Sequence, residues 1–219
     1  MATVTASSAK VRPFAAPIRR GRSSSDSGAG GDQREGSFIS SGMLAIMMVI
    51  ASEMMLFSGL IGSFLIFRLS APFWPPPGLP HLPIAVTWVN TFVLLSSAGT
   101  MTLALRAAHR SRQRLLRRYL LTTLVLGVTF LAVQGSEWVR LVAHGLKLSS
   151  GMYGGTFYLL IGCHGAHVTA GVIWLACVVA AAMGGRYNAR NAHAIEVCAV
   201  YWYFVCAVWP VLFGLVYLM

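Results

Sequence analysis

The sequence predicts an all-α polytopic membrane protein, a bundle of five transmembrane helices, and three observations carry that prediction. The chain of 219 residues is 56% hydrophobic and only 11% charged, against the roughly 25% charged that is usual for soluble domains. Its mean hydropathy is +0.67. Five separate stretches reach the ~20 apolar residues needed to cross about 30 Å of hydrocarbon. Every backbone polar group there needs an internal partner, so each stretch is read as a helix.

Residues 1–36 precede the first span. They are rich in Ser, Gly, Ala and Arg and lack sustained apolar periodicity, the composition of a disordered, basic cytoplasmic tail. No continuous apolar core of a secretory signal is present, although the Arg- and Ser-rich, acid-poor character also resembles a mitochondrial transit peptide.

The five spans fall within residues 37–219, at Phe38–Phe67, Ile84–Leu105, Leu116–Val139, Tyr153–Met183 and Ala194–Leu218. The link after the first, LSAPFWPPPGLPHLP, is stiffened by prolines and places Phe73 and Trp74 where headgroups would lie. The link between the second and third, RAAHRSRQRLLRR, holds six arginines. Fourteen of the seventeen Lys and Arg residues lie in the tail, in this link and in the link before span five; only Arg68, Arg140 and Lys147 lie on the other side. Positive residues stay on the cytoplasmic side, so the N-terminus is expected inside and the C-terminus outside. The same distribution explains the formal charge of +11 as membrane anchoring and argues against nucleic acid as a partner. Within span five, Pro210 is expected to produce a kink.

Three of the six acidic residues, Glu53, Glu137 and Glu196, lie within or at the edge of a span. A charge at the bilayer centre costs about 2.5–3.5 kcal/mol on insertion scales, so such carboxylates find protein or water partners. A rise of about 1.5 Å per residue places Glu53, His164 and His167 at one level near mid-membrane. Glu137 falls close to the outer face and Glu196 close to the inner one. His164 and His167 are spaced i, i+3 and so project from one helix face; either imidazole can reach Glu53 to make an interhelical hydrogen bond.

The preferred reading of these residues is helix packing rather than a catalytic or metal site, the alternative being a bound metal, since three ligands can suffice for zinc. A ferritin-like centre needs a Glu-x-x-His pair from each of two helices, whereas one Glu and two His share this level. The chain has no continuous file of ionisable groups for proton relay, and Cys163, Cys177, Cys198 and Cys206 form no CxxC pair. Gly162, Gly165 and Gly171, with Ala166 and Ala170, suit close helix approach. Tyr201, Trp202, Tyr203, Phe204 and Trp209 suit packing and interfacial anchoring.

Several stretches together resemble the cytochrome c oxidase subunit III family of the haem-copper terminal oxidases. IASEMMLFSGL at Ile50–Leu60 resembles the family's Ser-Glu helix. FWPPPGLPHLPIAVTWVNTFVLLSSAGT resembles its Trp-Pro-Pro loop and following Asn-Thr helix, and QGSEWV its Gln-x-Ser-Glu-aromatic element. YGGTFYLLIGCHGAHVTAG resembles its Tyr-Gly-x-x-Phe and His-Gly-x-His-Val helix, and IEVCAVYWYFVCAVW its last helix. The resemblance runs in unbroken order from about Gly42 to Met219. Five spans correspond to a short bacterial form that lacks the first two of seven helices. In the last helix the family usually reads Trp-His-Phe-x-Asp, where this chain has Tyr203 and Cys206 in the His and Asp places; Cys163 replaces the usual aromatic or Thr.

The resemblance implies a subunit with no haem or copper of its own, those belonging to partner subunits I and II. It implies a chain that flanks subunit I in a bacterial plasma membrane, or alternatively the mitochondrial inner membrane. Such a chain holds phospholipid in a cleft between its helices and sustains proton uptake by its neighbour. Glu53 would be the family's membrane-embedded carboxyl, and Glu137, His164, His167 and Glu196 match its other buried polar positions. The remaining readings are a quinol oxidase subunit III, an accessory subunit of nitric oxide reductase, and a free-standing transporter or metal-binding membrane protein. No internal repeat of the kind transporters show is evident.

Overall fold

Each apolar run closes its backbone hydrogen bonds within itself, and the computed structural model accordingly consists of helices throughout; it describes residues 41–74, 84–149, 151–187 and 192–218. The expected tail at residues 1–36 and the proline run at residues 75–83 lie outside these. The elements are α1 (Ser41–Ser70), α2 (Ile84–His109), α3 (Gln113–Ala143), α4 (Gly151–Met183) and α5 (His193–Phe213), the last continuing as a π-helical turn at Gly214–Leu218. All five are long and apolar enough to span a membrane.

The helix boundaries differ from the hydropathy limits mainly at the arginine-rich link. Arg106–Arg118 reads as a loop by polarity, yet α2 continues to His109 and α3 begins at Gln113, because Ala, Leu and Arg are all good helix formers. Only a tight turn separates them. Ser111 adopts φ 54°, and its neighbour Arg112 donates its N–H back to the Ala107 carbonyl at 2.9 Å. The result is an antiparallel α2–α3 hairpin whose two helices stay in close register.

The core is organised around α5. Half of its most apolar window is buried, against 11% for α1, so α5 is the central helix and α1 a peripheral one. Trp202 and Trp209, seven residues apart on one face of α5, are fully buried. Each indole donates to a hydroxyl of α2: Trp202 Nε1 to Ser97 Oγ at 3.0 Å and Trp209 Nε1 to Thr91 Oγ1 at 2.9 Å. Those hydroxyls in turn donate to carbonyls of their own helix, Leu94 and Thr87. Donor and acceptor are thus both satisfied inside the bundle, as an environment without water demands.

Space for Trp202 comes from glycines on two other helices. A Cβ on Gly127 of α3 would lie 2.6 Å from Trp202 Cη2, and one on Gly171 of α4 would lie 3.2 Å from its ring. The α5 helix runs through Pro210. Proline has no N–H to offer, and four residues later the hydrogen bonding widens to the π pattern of Gly214–Leu218.

Candidate functional site

α1 packs against α4 and α5 through Phe57 and Phe64, and that packing brings Glu53, one turn before Phe57, onto α4. There His167 Nε2 meets Glu53 Oε2 at 2.8 Å. The other ring nitrogen, Nδ1, lies 2.7 Å from the Cys163 carbonyl. A carbonyl only accepts, so Nδ1 carries a hydrogen. A hydrogen bond between Nε2 and the carboxyl therefore holds one further proton: the pair is either imidazolium with carboxylate or imidazole with carboxylic acid. Their side chains retain 17% and 23% exposure, which keeps the pair within reach of the α1 surface. Phe57 covers it from the core side, its ring 5.2 Å from that of His167. Tyr201 of α5 donates its hydroxyl to the His167 carbonyl at 3.2 Å.

His164 takes a different course from its neighbour. One helical turn earlier on α4, it points between α3 and α5, stacked on Trp209 at 5.2 Å and 27° and edge-on to Phe130. It is 1% exposed, and neither of its ring nitrogens has a hydrogen-bond partner among the described residues. Three residues turn a helix by about 300°, which leaves the two imidazoles near one face yet far enough apart to address different neighbours. Only His167 reaches Glu53. His164 instead borders a cavity of about 210 Å³ with Gln134, Trp138 and Thr169.

The two remaining carboxylates lie at opposite ends of the bundle. Glu137 is buried on α3 and accepts from Arg140 Nη1 at 2.8 Å within its own helix. Glu196, in the first turn of α5, lies 3.4 Å from His109 Nε2 at the end of α2 and 3.7 Å from His193 Nδ1. The five polar residues singled out in the sequence therefore form no single cluster. Among the described residues no group of three or more His, Cys, Asp or Glu is placed to hold a metal ion.

An apolar groove about 350 Å³ in volume runs beside the Glu53–His167 pair, between α1 and α5, lined by Met54, Phe57, Ile61, Phe204, Val208 and Val211. The positions where the last helix departs from the family pattern face inward. The Tyr203 hydroxyl pairs with Thr102 Oγ1 at 2.9 Å. Buried Cys206 lies 3.8 Å from both Ser97 Oγ and the Leu94 carbonyl. Both thus join α5 to α2.

Hydrophobicity alone did not reveal the α2 hydroxyls. Thr91, Ser97 and Thr102 sit in an apolar run where a hydroxyl can simply bond its own helix; the available signal was their coincidence with two tryptophans seven residues apart on the last span.

Residues 28–219 match the family model described as Cytochrome c oxidase subunit III. A "Cytochrome c oxidase subunit 3" from Synechocystis is 33% identical over 81% of this chain and 75% of its own length. The "Probable cytochrome c oxidase subunit 3" of Mycobacterium leprae is 36% identical over 77% of this chain and 83% of its own. That of Nocardia farcinica is likewise 36% identical, over the same shares.

Proposed function

Because the chain belongs to the cytochrome c oxidase subunit III family, and so to an oxidoreductase complex of the respiratory chain, we propose that it supports the catalytic subunit I by holding phospholipid and sustaining proton uptake. The family carries no haem or copper of its own. Chemistry on oxygen belongs to the partner subunits, and what this chain supplies is surface, lipid and fixed polar groups.

The observation that carries the reading is the Glu53–His167 pair set beside the α1–α5 groove. A carboxyl at mid-span is tolerated in hydrocarbon when a partner neutralises it, and the imidazole at 2.8 Å does so while holding one proton between two groups. Next to it the groove is lined by apolar side chains apart from Ser58, whose hydroxyl donates to the Met54 carbonyl of its own helix, and it suits part of an acyl chain. A lipid in that groove would shield the pair from the bilayer and fill the gap left by loosely packed α1.

The relatives are bacterial, and the setting proposed is accordingly a bacterial plasma membrane, with the arginine-rich end of the bundle inside. The donor is cytochrome c on this reading, following the names of the relatives. The test compares the purified oxidase with and without this chain at matched turnover. Slower proton uptake in its absence, restored when the chain and phospholipid are added back, is the expected result; equal uptake with and without it would remove the supporting role.

A further inference from the structure

At the arginine-rich end, α2 and α3 border a cavity of about 300 Å³ between Leu103, Arg106, Arg110, Arg112, Leu115 and Tyr119. It lies away from both the Glu53–His167 pair and the α1–α5 groove. Its construction follows from the hairpin turn. Arg106 lies in the last turn of α2 and Arg110 just past its end, where its N–H still bonds the Arg106 carbonyl at 3.2 Å, and Leu115 and Tyr119 share one face of α3. The left-handed residue Ser111 then folds Arg112 back over the gap. Three arginines, one from the last turn of α2 and two from the turn that follows it, thus line one opening.

None of the three makes an ion pair among the described residues, where the acidic groups at this end reduce to Glu196, engaged by His109 and His193. The α3 helix begins at this spot with no side-chain cap, so its positive dipole end adds to the field. Along the two helices the lining changes from Arg106, Arg110 and Arg112 at the turn to Leu103, Leu115 and Tyr119 further into the span. That gradient matches an amphiphile with an anionic head, since guanidinium forks hold phosphate oxygens in pairs and leucines accept hydrocarbon.

We propose that this cavity binds the phosphate of an anionic phospholipid drawn from the leaflet at the basic end of the bundle, its acyl chains running along Leu103 and Leu115. Each arginine in the headgroup layer contributes roughly fivefold to such binding. The site accordingly distinguishes phosphatidylglycerol from phosphatidylcholine by head charge, and distinguishes both from free phosphate by its apolar lining, Leu103 and Leu115.

The experiment uses the full-length chain with the subunits that copurify, delipidated and titrated with phosphatidylglycerol, phosphatidylcholine or inorganic phosphate while bound lipid is counted by native mass spectrometry. The triple variant Arg106→Gln, Arg110→Gln, Arg112→Gln should lose on the order of a hundredfold in phosphatidylglycerol affinity. Arg114→Gln, Arg117→Gln, Arg118→Gln removes the same charge from the neighbouring α3 turns and should leave that affinity near wild type. Replacing the three cavity arginines by Lys keeps the charge and loses the paired guanidinium hydrogen bonds, and should give an affinity between those of the wild type and the Gln variant. Equal losses in the two Gln variants would reduce the effect to diffuse surface charge and overturn the proposal. So would a Lys variant that binds as poorly as the Gln one, or inorganic phosphate that competes with the lipid at equal concentration.

Discussion

Glu53 of α1, the least buried of the five helices, and His167 of α4 meet at 2.8 Å. Here a polar pair adds to the Phe57 and Phe64 packing that joins a peripheral helix to the rest. Replacing Glu53 by Gln leaves an amide able to donate to His167 Nε2, so assembly should be intact. Leu at this position leaves the imidazole nitrogen without a partner, at about 1–3 kcal/mol, and should loosen α1 from its neighbour. Counting phospholipid in the purified complex checks the functional side of the pair: Glu53→Leu should retain less lipid than Glu53→Gln, and wild-type lipid content in both variants would detach the pair from lipid binding.

Gly127 gives the sharpest packing prediction. A methyl group there would lie 2.6 Å from Trp202 Cη2, in a core where Trp202 is fully buried and its N–H is fixed on Ser97. Gly127→Ala should therefore destabilise the bundle by about 1–3 kcal/mol. Trp202→Phe removes the clashing ring atoms, and the double variant should be less destabilised than the sum of the two single changes. Strict additivity in thermal unfolding of the purified complex would show that the two positions do not touch.

The α2–α5 hydroxyl bonds predict an asymmetry between the two partners. Thr91→Val strands the buried Trp209 indole N–H, which costs about 1–3 kcal/mol, whereas Thr91→Ser keeps the acceptor and should cost much less. Tyr203→Phe removes a donor to Thr102, whose own hydroxyl still bonds Ala98 at 3.0 Å, so the loss is that of one ordinary hydrogen bond, about 1 kcal/mol. Ranking the three variants by melting temperature tests the order.

The sequence exposes some of these relationships and hides others for definite physical reasons. The spans are visible because hydrocarbon demands long apolar runs. The shared level of Glu53 and His167 is visible because a helix rises by a constant step. The divergence of His164 is not, since which neighbour an imidazole meets depends on helix rotation within the bundle. The extent of α2 and α3 through Arg106–Arg118 is hidden because hydropathy marks the lipid boundary, while the helix continues for as long as its residues favour it. Gly127 is silent for a related reason: one glycine in LVLGVTF acquires meaning only when Trp202 from another helix arrives against it.

Family membership predicts what should accompany the chain on purification. Captured by a tag in mild detergent, it should bring subunits whose reduced-minus-oxidised spectrum contains haem a bands. Metal analysis should then find no more than those subunits account for, since the described residues of this chain gather no metal-binding group. A spectrum with only b- or c-type haem would direct the chain to a quinol oxidase or a nitric oxide reductase instead.

Orientation rests on charge alone and is the most exposed to a direct test. The described arginines of the α2–α3 turn and Arg186 after α4 lie at the end where α5 begins, whereas Arg68, Arg140 and Lys147 lie at the other. Insertion keeps the richer end in the cytoplasm, and five spans then put the two termini on opposite sides. A tag at the N-terminus should be digested by protease only after the cells are opened, and a tag at the C-terminus in intact spheroplasts. The reverse pattern would invert the bundle, and with it the leaflet from which the arginine cavity draws its lipid.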